Sequence, residues 1–173
     1  MKRRHFLHAL SWGAGIVAGG WRSLKHLTSS QDGISEPLVI STWRVQESNQ
    51  AAWKTIENNG SALDAVVNGV AVEEANPKGA TVGIGGRPDR EGQVTLDACV
   101  MDHKGNAGSV VYVRGFKHVA ALAQKVMEKT PHVILAGAGA EQFAREQGFQ
   151  EEDLLTESSK TAWEKWLKEK KYL

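Results

Sequence analysis

The side chains able to do chemistry in this chain are few and scattered. The single cysteine, Cys99, has no second thiol for an intrachain disulfide and cannot anchor a Cys-rich metal cluster. It lies in the apolar run 94–101 with no identifiable base, so a buried packing role is expected. His103, His118 and His132 lack metal-ligand spacing and read as surface or packing residues. Asp97 and Asp102 stand five apart on an expected strand. Alternation puts them on opposite faces, a poor arrangement for paired acid–base work. Gly83-Ile84-Gly85-Gly86 is only superficially like a phosphate loop: it lacks the Gly-x-Gly-x-x-Gly spacing, and Arg87-Pro88-Asp89 turns the chain where a helix should begin. Trp43 directly follows an expected strand, where functional side chains often emerge from a sheet, although packing is the default role of such an aromatic.

The elements that must position these residues are legible from period and punctuation. Residues 38–42 form a short β-branched run after Pro37 and read as a buried strand. Ala52, Trp53 and Ile56 are spaced for a helix that stops at Asn59-Gly60. Ser61 and Asp64 have capping-box spacing, and Ala62, Leu63, Val66, Val67 and Val70 give the second helix an apolar face. Strands are expected over 81–85, 93–101 and 108–113, with turns at 87–89 and 104–106. A helix through Val119, Leu122, Ala123 and Val126 ends near Pro131. A strand over 132–136, a helix through Ala140, Phe143 and Ala144 capped by Gly148, and a last helix through Trp163 and Trp166 complete the order. Consecutive hairpin-like strands flanked by helices imply layered α and β structure, not a doubly wound parallel sheet.

With 173 residues and a net charge of +1, the chain is long enough for one real core and gives no electrostatic reason to bind nucleic acid. Lys165, Lys168, Lys170 and Lys171 alternate with Glu164 and Glu169, the pattern of a solvated helix face. The start is different. Lys2-Arg3-Arg4-His5-Phe6-Leu7 precedes a weakly apolar, Gly-rich stretch to Gly20, the form of a twin-arginine export signal, too short and glycine-rich for a membrane span. Residues 1–30 are therefore expected to be a signal peptide and leader, and 31–173 the mature domain, periplasmic or secreted and without stable membrane association after export.

Five ordered blocks across 37–173 carry a resemblance. They are Ser41-Thr42-Trp43; Gly60-Ser61-Ala62-Leu63-Asp64-Ala65-Val66; Val82-Gly83-Ile84-Gly85-Gly86-Arg87-Pro88-Asp89; Thr95-Leu96-Asp97-Ala98-Cys99-Val100-Met101-Asp102; and Met127-Glu128-Lys129-Thr130-Pro131-His132-Val133. Together they resemble the N-terminal half of glycosylasparaginases, members of the N-terminal-nucleophile hydrolase superfamily. The related isoaspartyl peptidase/asparaginase branch shares the fourth and fifth blocks. It opens, however, with His-Gly-Gly-Ala-Gly where this chain has Ser41-Thr42-Trp43, and carries an Asn-Ala-Gly-Ile-Gly type segment where this chain reads 81–89.

The resemblance implies an α+β fold: part of an αββα sandwich, lacking the half that a β-chain supplies. It implies hydrolysis of the amide joining N-acetylglucosamine to asparagine, with no cofactor and no metal, in an (αβ)2 assembly whose β-chain begins with a threonine freed by autoproteolysis at an Asp-Thr bond. No Asp-Thr, Asp-Ser or Asp-Cys bond occurs in these 173 residues. The nucleophile, substrate clamp and oxyanion hole therefore have no counterparts here, and the chain alone is expected to be inactive. Two residues carry over. Trp43 matches a tryptophan that walls the substrate pocket, and Thr81 stands where the family usually has a serine hydrogen-bonded to the nucleophile's amine. Gly83, Gly85 and Gly86 are expected to let the backbone pass close to the site. The alternatives are an isoaspartyl peptidase α-chain or a non-catalytic scaffold that keeps the fold for binding.

Overall fold

The computed structural model describes residues 36–170; the leader expected over 1–30 lies outside them. The elements run α1 (Gln46–Glu57), α2 (Ala62–Glu74), β1 (Leu96–Met101), β2 (Ala107–Val113), α3 (Val119–Lys129), β3 (Ile134–Ala136), α4 (Gly137–Glu146) and α5 (Glu157–Lys170). Helices α1 and α2 form an antiparallel-type hairpin punctuated as the sequence indicates. Asn59 takes a left-handed conformation and Gly60 N–H donates to the Thr55 carbonyl at 2.9 Å, closing α1. Ser61 then opens α2 with a complete capping box: its hydroxyl accepts the Asp64 N–H, and the Asp64 carboxylate accepts the Ser61 N–H.

The sheet has three strands in the order β1-β2-β3, the first pair antiparallel and the second parallel. Asp102 builds the hairpin turn between β1 and β2, its carboxylate accepting the backbone N–H groups of Lys104 and Asn106. One extra residue in β2 breaks the register between Leu96 and Ala98, where Tyr112 takes a φ of 57°. Asp97 satisfies that bulge by accepting the Tyr112 N–H at 2.7 Å. Both aspartates are thus occupied with backbone, and neither is placed for proton transfer.

The core lies between one face of the sheet and α3. Leu96, Val100, Val110 and Val113 pack with Phe116, Val119, Leu122, Ala123 and Val126, and Ala140, Ala144 and Leu154 seal the edge. Full burial of side chains such as Val110, Val113, Leu122 and Val126 stabilises the fold by about 1.5–3 kcal/mol each.

Three expectations change. Residues 38–42 form no strand: Leu38 and Ile40 are 79% and 83% exposed, and a strand needs a neighbour to take its ladder hydrogen bonds, which no described strand provides. Residues 81–85 form a turn, because Gly83 and Gly85 both adopt positive φ. Cys99 is exposed, since it shares a strand face with Asp97 and Met101, opposite the one that packs on α3. The mixed α+β class holds; among the described residues there is one sheet.

Replacing Ser61 by Ala removes the capping hydroxyl and should lower stability by about 1 kcal/mol, read as a shift in urea midpoint at constant slope. A midpoint unchanged from wild type would show that the box contributes nothing.

Candidate functional site

The two carried-over residues arrive from different directions at one groove. Trp43 belongs to the extended segment before α1 and is held by a local turn: its carbonyl accepts the Ser41 hydroxyl at 2.7 Å and the Val45 N–H at 2.9 Å. Thr81 follows α2, at the head of the glycine turn. Both line a groove of about 570 Å³ bounded by Ile40, Ala52, Ile56, Val66 and Val70. Trp43 is 62% exposed. It also lines a second open cavity of about 700 Å³ with Trp53, Gln46 and Asn49, so its indole stands where the two spaces meet. Thr81 is exposed, and its hydroxyl makes no hydrogen bond among the described residues. The groove floor is apolar. Glu73, its one acidic member, accepts the Ser48 hydroxyl and the Asn76 side-chain amide, both at 3.4 Å.

The turn that carries Thr81 is fixed by backbone. Ile84 N–H donates to the Glu74 carbonyl at 2.9 Å, and Gly85 N–H to the Leu154 carbonyl at 2.8 Å. The Ser159 hydroxyl donates to the Gly85 carbonyl at 2.5 Å, and the Trp163 indole N–H to the Arg90 carbonyl at 3.2 Å, tying α5 to the turn and the loop after it. Gly83 has φ +57° and lies so close to the Glu74 backbone that a Cβ would overlap it. Gly86 has Val94 Cγ1 only 3.2 Å from where its Cβ would be. Gly83 thus serves close approach of backbone to backbone, and Gly86 close packing on the Val94 side chain.

Sequence reasoning missed Glu74 and gave His118 only a surface or packing role. The Glu74 carboxylate is buried, accepts the Ala120 N–H at 2.9 Å and lies 3.2 Å from His118 Nδ1. Burial pushes its pKa above the ordinary 4.5, against the opposing pull of Ala120 and His118. The available signal was helical phase: Glu74 falls seven residues after buried Val67, on the inward face of α2. Among the described residues, no group of three His, Cys, Asp or Glu side chains could hold a metal ion, and no helix is long and apolar enough to cross a membrane.

A family model described as asparaginase matches residues 16–172, nearly the whole chain. This chain belongs to the asparaginase family. Within it, the chain is 45% identical over 173 residues to an N(4)-(beta-N-acetylglucosaminyl)-L-asparaginase of Elizabethkingia miricola, covering 98% of this chain and 51% of that one. It is 44% identical over 132 residues to the enzyme of that name from Mus musculus and equally to that from Rattus norvegicus, covering 76% of this chain and 38% of each relative. The asparaginase-family chain thus spans about half, or less, of the length of these curated relatives.

Two predictions follow from the glycine turn and its anchor. Gly83→Ala should destabilise the protein by more than about 1 kcal/mol, because positive φ and the contact with Glu74 both oppose a side chain; thermal melts check this, and a neutral substitution would refute the packing argument. Glu74 has a folded pKa above its unfolded value, so its contribution to stability is fully present below 4.5 and is lost as pH rises through the folded pKa. Glu74→Gln should therefore remove this decline, and the stability difference between the two proteins should move in the variant's favour as pH rises above 4.5 through the folded pKa. Parallel pH–stability curves would count against it.

Proposed function

We propose that this chain supplies one wall of the active site of an N4-(β-N-acetylglucosaminyl)-L-asparaginase, which hydrolyses the amide between N-acetylglucosamine and asparagine once a second polypeptide segment brings an N-terminal threonine. The observation that carries this reading is that the groove lined by the exposed Trp43 indole also holds the unpartnered Thr81 hydroxyl. An apolar wall beside a hydroxyl suits a substrate whose polar ends are gripped elsewhere. The similarity to glycosylasparaginases along the chain supports the same assignment.

In this mechanism the incoming threonine hydroxyl attacks the amide carbon while its own α-amino group, of ordinary pKa near ~7.7–8.0, accepts the proton. The tetrahedral intermediate collapses as the C–N bond breaks and the proton passes to the departing glycosylamine nitrogen. Water then cleaves the resulting ester to release aspartate and regenerate the hydroxyl. Thr81 donates or accepts a hydrogen bond at the nucleophile's amine, keeping it directed at the hydroxyl it must deprotonate. Its methyl group restricts χ1 compared with a serine, so the hydroxyl has fewer directions to sample.

The second segment also answers a packing problem. Met101, Val111, Val133 and Ile134 on the sheet side, and Val66 and Val70 on α2, are exposed. A second sheet laid against the exposed strand face would complete an αββα sandwich, and strands added alongside would close the open edges. We place the assembled enzyme, of (αβ)2 form, outside the cytoplasm on the strength of the Arg3-Arg4 leader.

Assayed alone, residues 1–173 should not turn over aspartylglucosamine, and co-production with a segment bearing the processed threonine should restore activity. In that assembly Thr81→Ala should lower kcat by about tenfold or more with little change in KM, the loss expected for one hydrogen bond made to the reacting centre. Turnover by the rigorously purified lone chain would overturn the proposal. Preference for a β-aspartyl dipeptide over glycosylated asparagine would move the assignment to the isoaspartyl peptidase branch.

A further inference from the structure

Glu74 is a carboxylate that the proposed mechanism does not use, and it is the most buried acid among the described residues, 2% exposed. Its position is unusual in what it joins. Helix α3 begins at Val119 with no capping hydrogen bond from the side chain of His118. Glu74 fills that role from the end of another helix: one carboxylate oxygen accepts the Ala120 N–H at 2.9 Å, and the other lies 3.2 Å from His118 Nδ1. The carboxylate thus caps α3 by the geometry of its hydrogen bond.

The same residue holds the glycine turn by its backbone. Its carbonyl accepts the Ile84 N–H at 2.9 Å, and Gly83 packs on its Cα and carbonyl with no space for a side chain. Thr81 is two residues from Gly83. One residue therefore links the end of α2, the start of α3 and the turn that presents a hydroxyl to the groove. The groups around it leave the linkage undisturbed. On α2, Glu73 turns its carboxylate to Ser48 and Asn76. Ahead of α3, Lys117 is paired with Glu152 at 2.9 Å. The turn 81–86 carries no titratable side chain.

We propose that Glu74 is a positioning residue for Thr81: by bonding the start of α3 it fixes the end of α2, and through Ile84 and Gly83 it fixes the turn that sets where the Thr81 hydroxyl stands. This rests on the reading of Thr81 given above. Removing the carboxylate's reach should therefore disturb the chemical step more than binding. A side chain of the same shape should be tolerated, because a glutamine can offer its carbonyl to Ala120 and its amide to His118 when that ring presents an acceptor.

The test compares wild type, Glu74→Asp, Glu74→Gln and His118→Ala in the assembled two-segment protein, by turnover and by amide hydrogen exchange. Glu74→Asp shortens the side chain and should lower kcat by about tenfold with KM within about twofold, since a hydrogen bond is lost at one remove from the reaction. The same variant should speed exchange of the Ile84 amide relative to the β1–β2 ladder. Glu74→Gln should restore both towards wild type. His118→Ala, at a half-exposed position, leaves Glu74 one partner fewer and should speed Ile84 exchange to a smaller degree; it keeps the test open if the Asp variant does not fold.

Unchanged Ile84 exchange in Glu74→Asp or, where that variant does not fold, in His118→Ala would overturn the inference. So would a Gln variant as impaired as the Asp variant, or a Tm that falls while kcat and Ile84 exchange stay at wild-type values. If the assembled wild type has no amidase activity, the functional reading falls on its own. The exchange contrast, which needs no turnover, still decides whether Glu74 holds the turn.

Discussion

A β-sheet can be buried on two faces, and in the described part of this chain it is buried on one. Leu96, Val100, Val110 and Val113 close against α3, and this contact organises the core. The other face presents Cys99, Met101 and Ile134 to solvent. The α1–α2 hairpin has the complementary problem, with Val66 and Val70 exposed along the groove. Both facts are of one kind: apolar strand and helix faces that none of the described elements covers. The extended run 38–42 belongs to the same pattern. It has the residues of a strand but pairs with none of the described strands, and Trp43 stands at its end unburied.

Against that open side, the turn around Thr81 is tightly held. Its amides go to Glu74 and Leu154, its Gly85 carbonyl to Ser159, and its glycines sit where side chains would collide with backbone or with Val94. A site built from a well-fixed turn and an untethered aromatic wall would be poorly specified. Here the wall is also tied, through Ser41 and Val45. Two locally determined pieces thus meet at a shared groove, which is a property of the tertiary arrangement and of neither piece alone.

The acidic residues of the resembling blocks show a related separation of fold and function. Asp64, Asp97 and Asp102 stand in the most recognisable blocks of the sequence, yet each is engaged with backbone: a capping box, a bulge amide and a hairpin turn. Their hydrogen bonds hold the Asp64 and Asp102 carboxyls below the usual carboxylate range. Resemblance between family members can therefore rest on scaffold chemistry.

Local chemistry alone determined much of this protein. The cap at Ser61–Asp64, the stop at Asn59–Gly60, the hairpin turn at Asp102 and the amphipathic phase of α3 are short-range effects of side chain on nearby backbone, and each is legible in the residues. The family was legible too, because its blocks lie in order along the chain. Tertiary structure alone decided the rest. Whether 38–42 becomes a strand depends on a partner, and whether Cys99 is buried depends on what covers its face. Whether Glu74 differs from Glu73 depends on a helix start forty-odd residues away. Pairing, coverage and long-range capping are contacts between segments distant in sequence, so no local pattern encodes them.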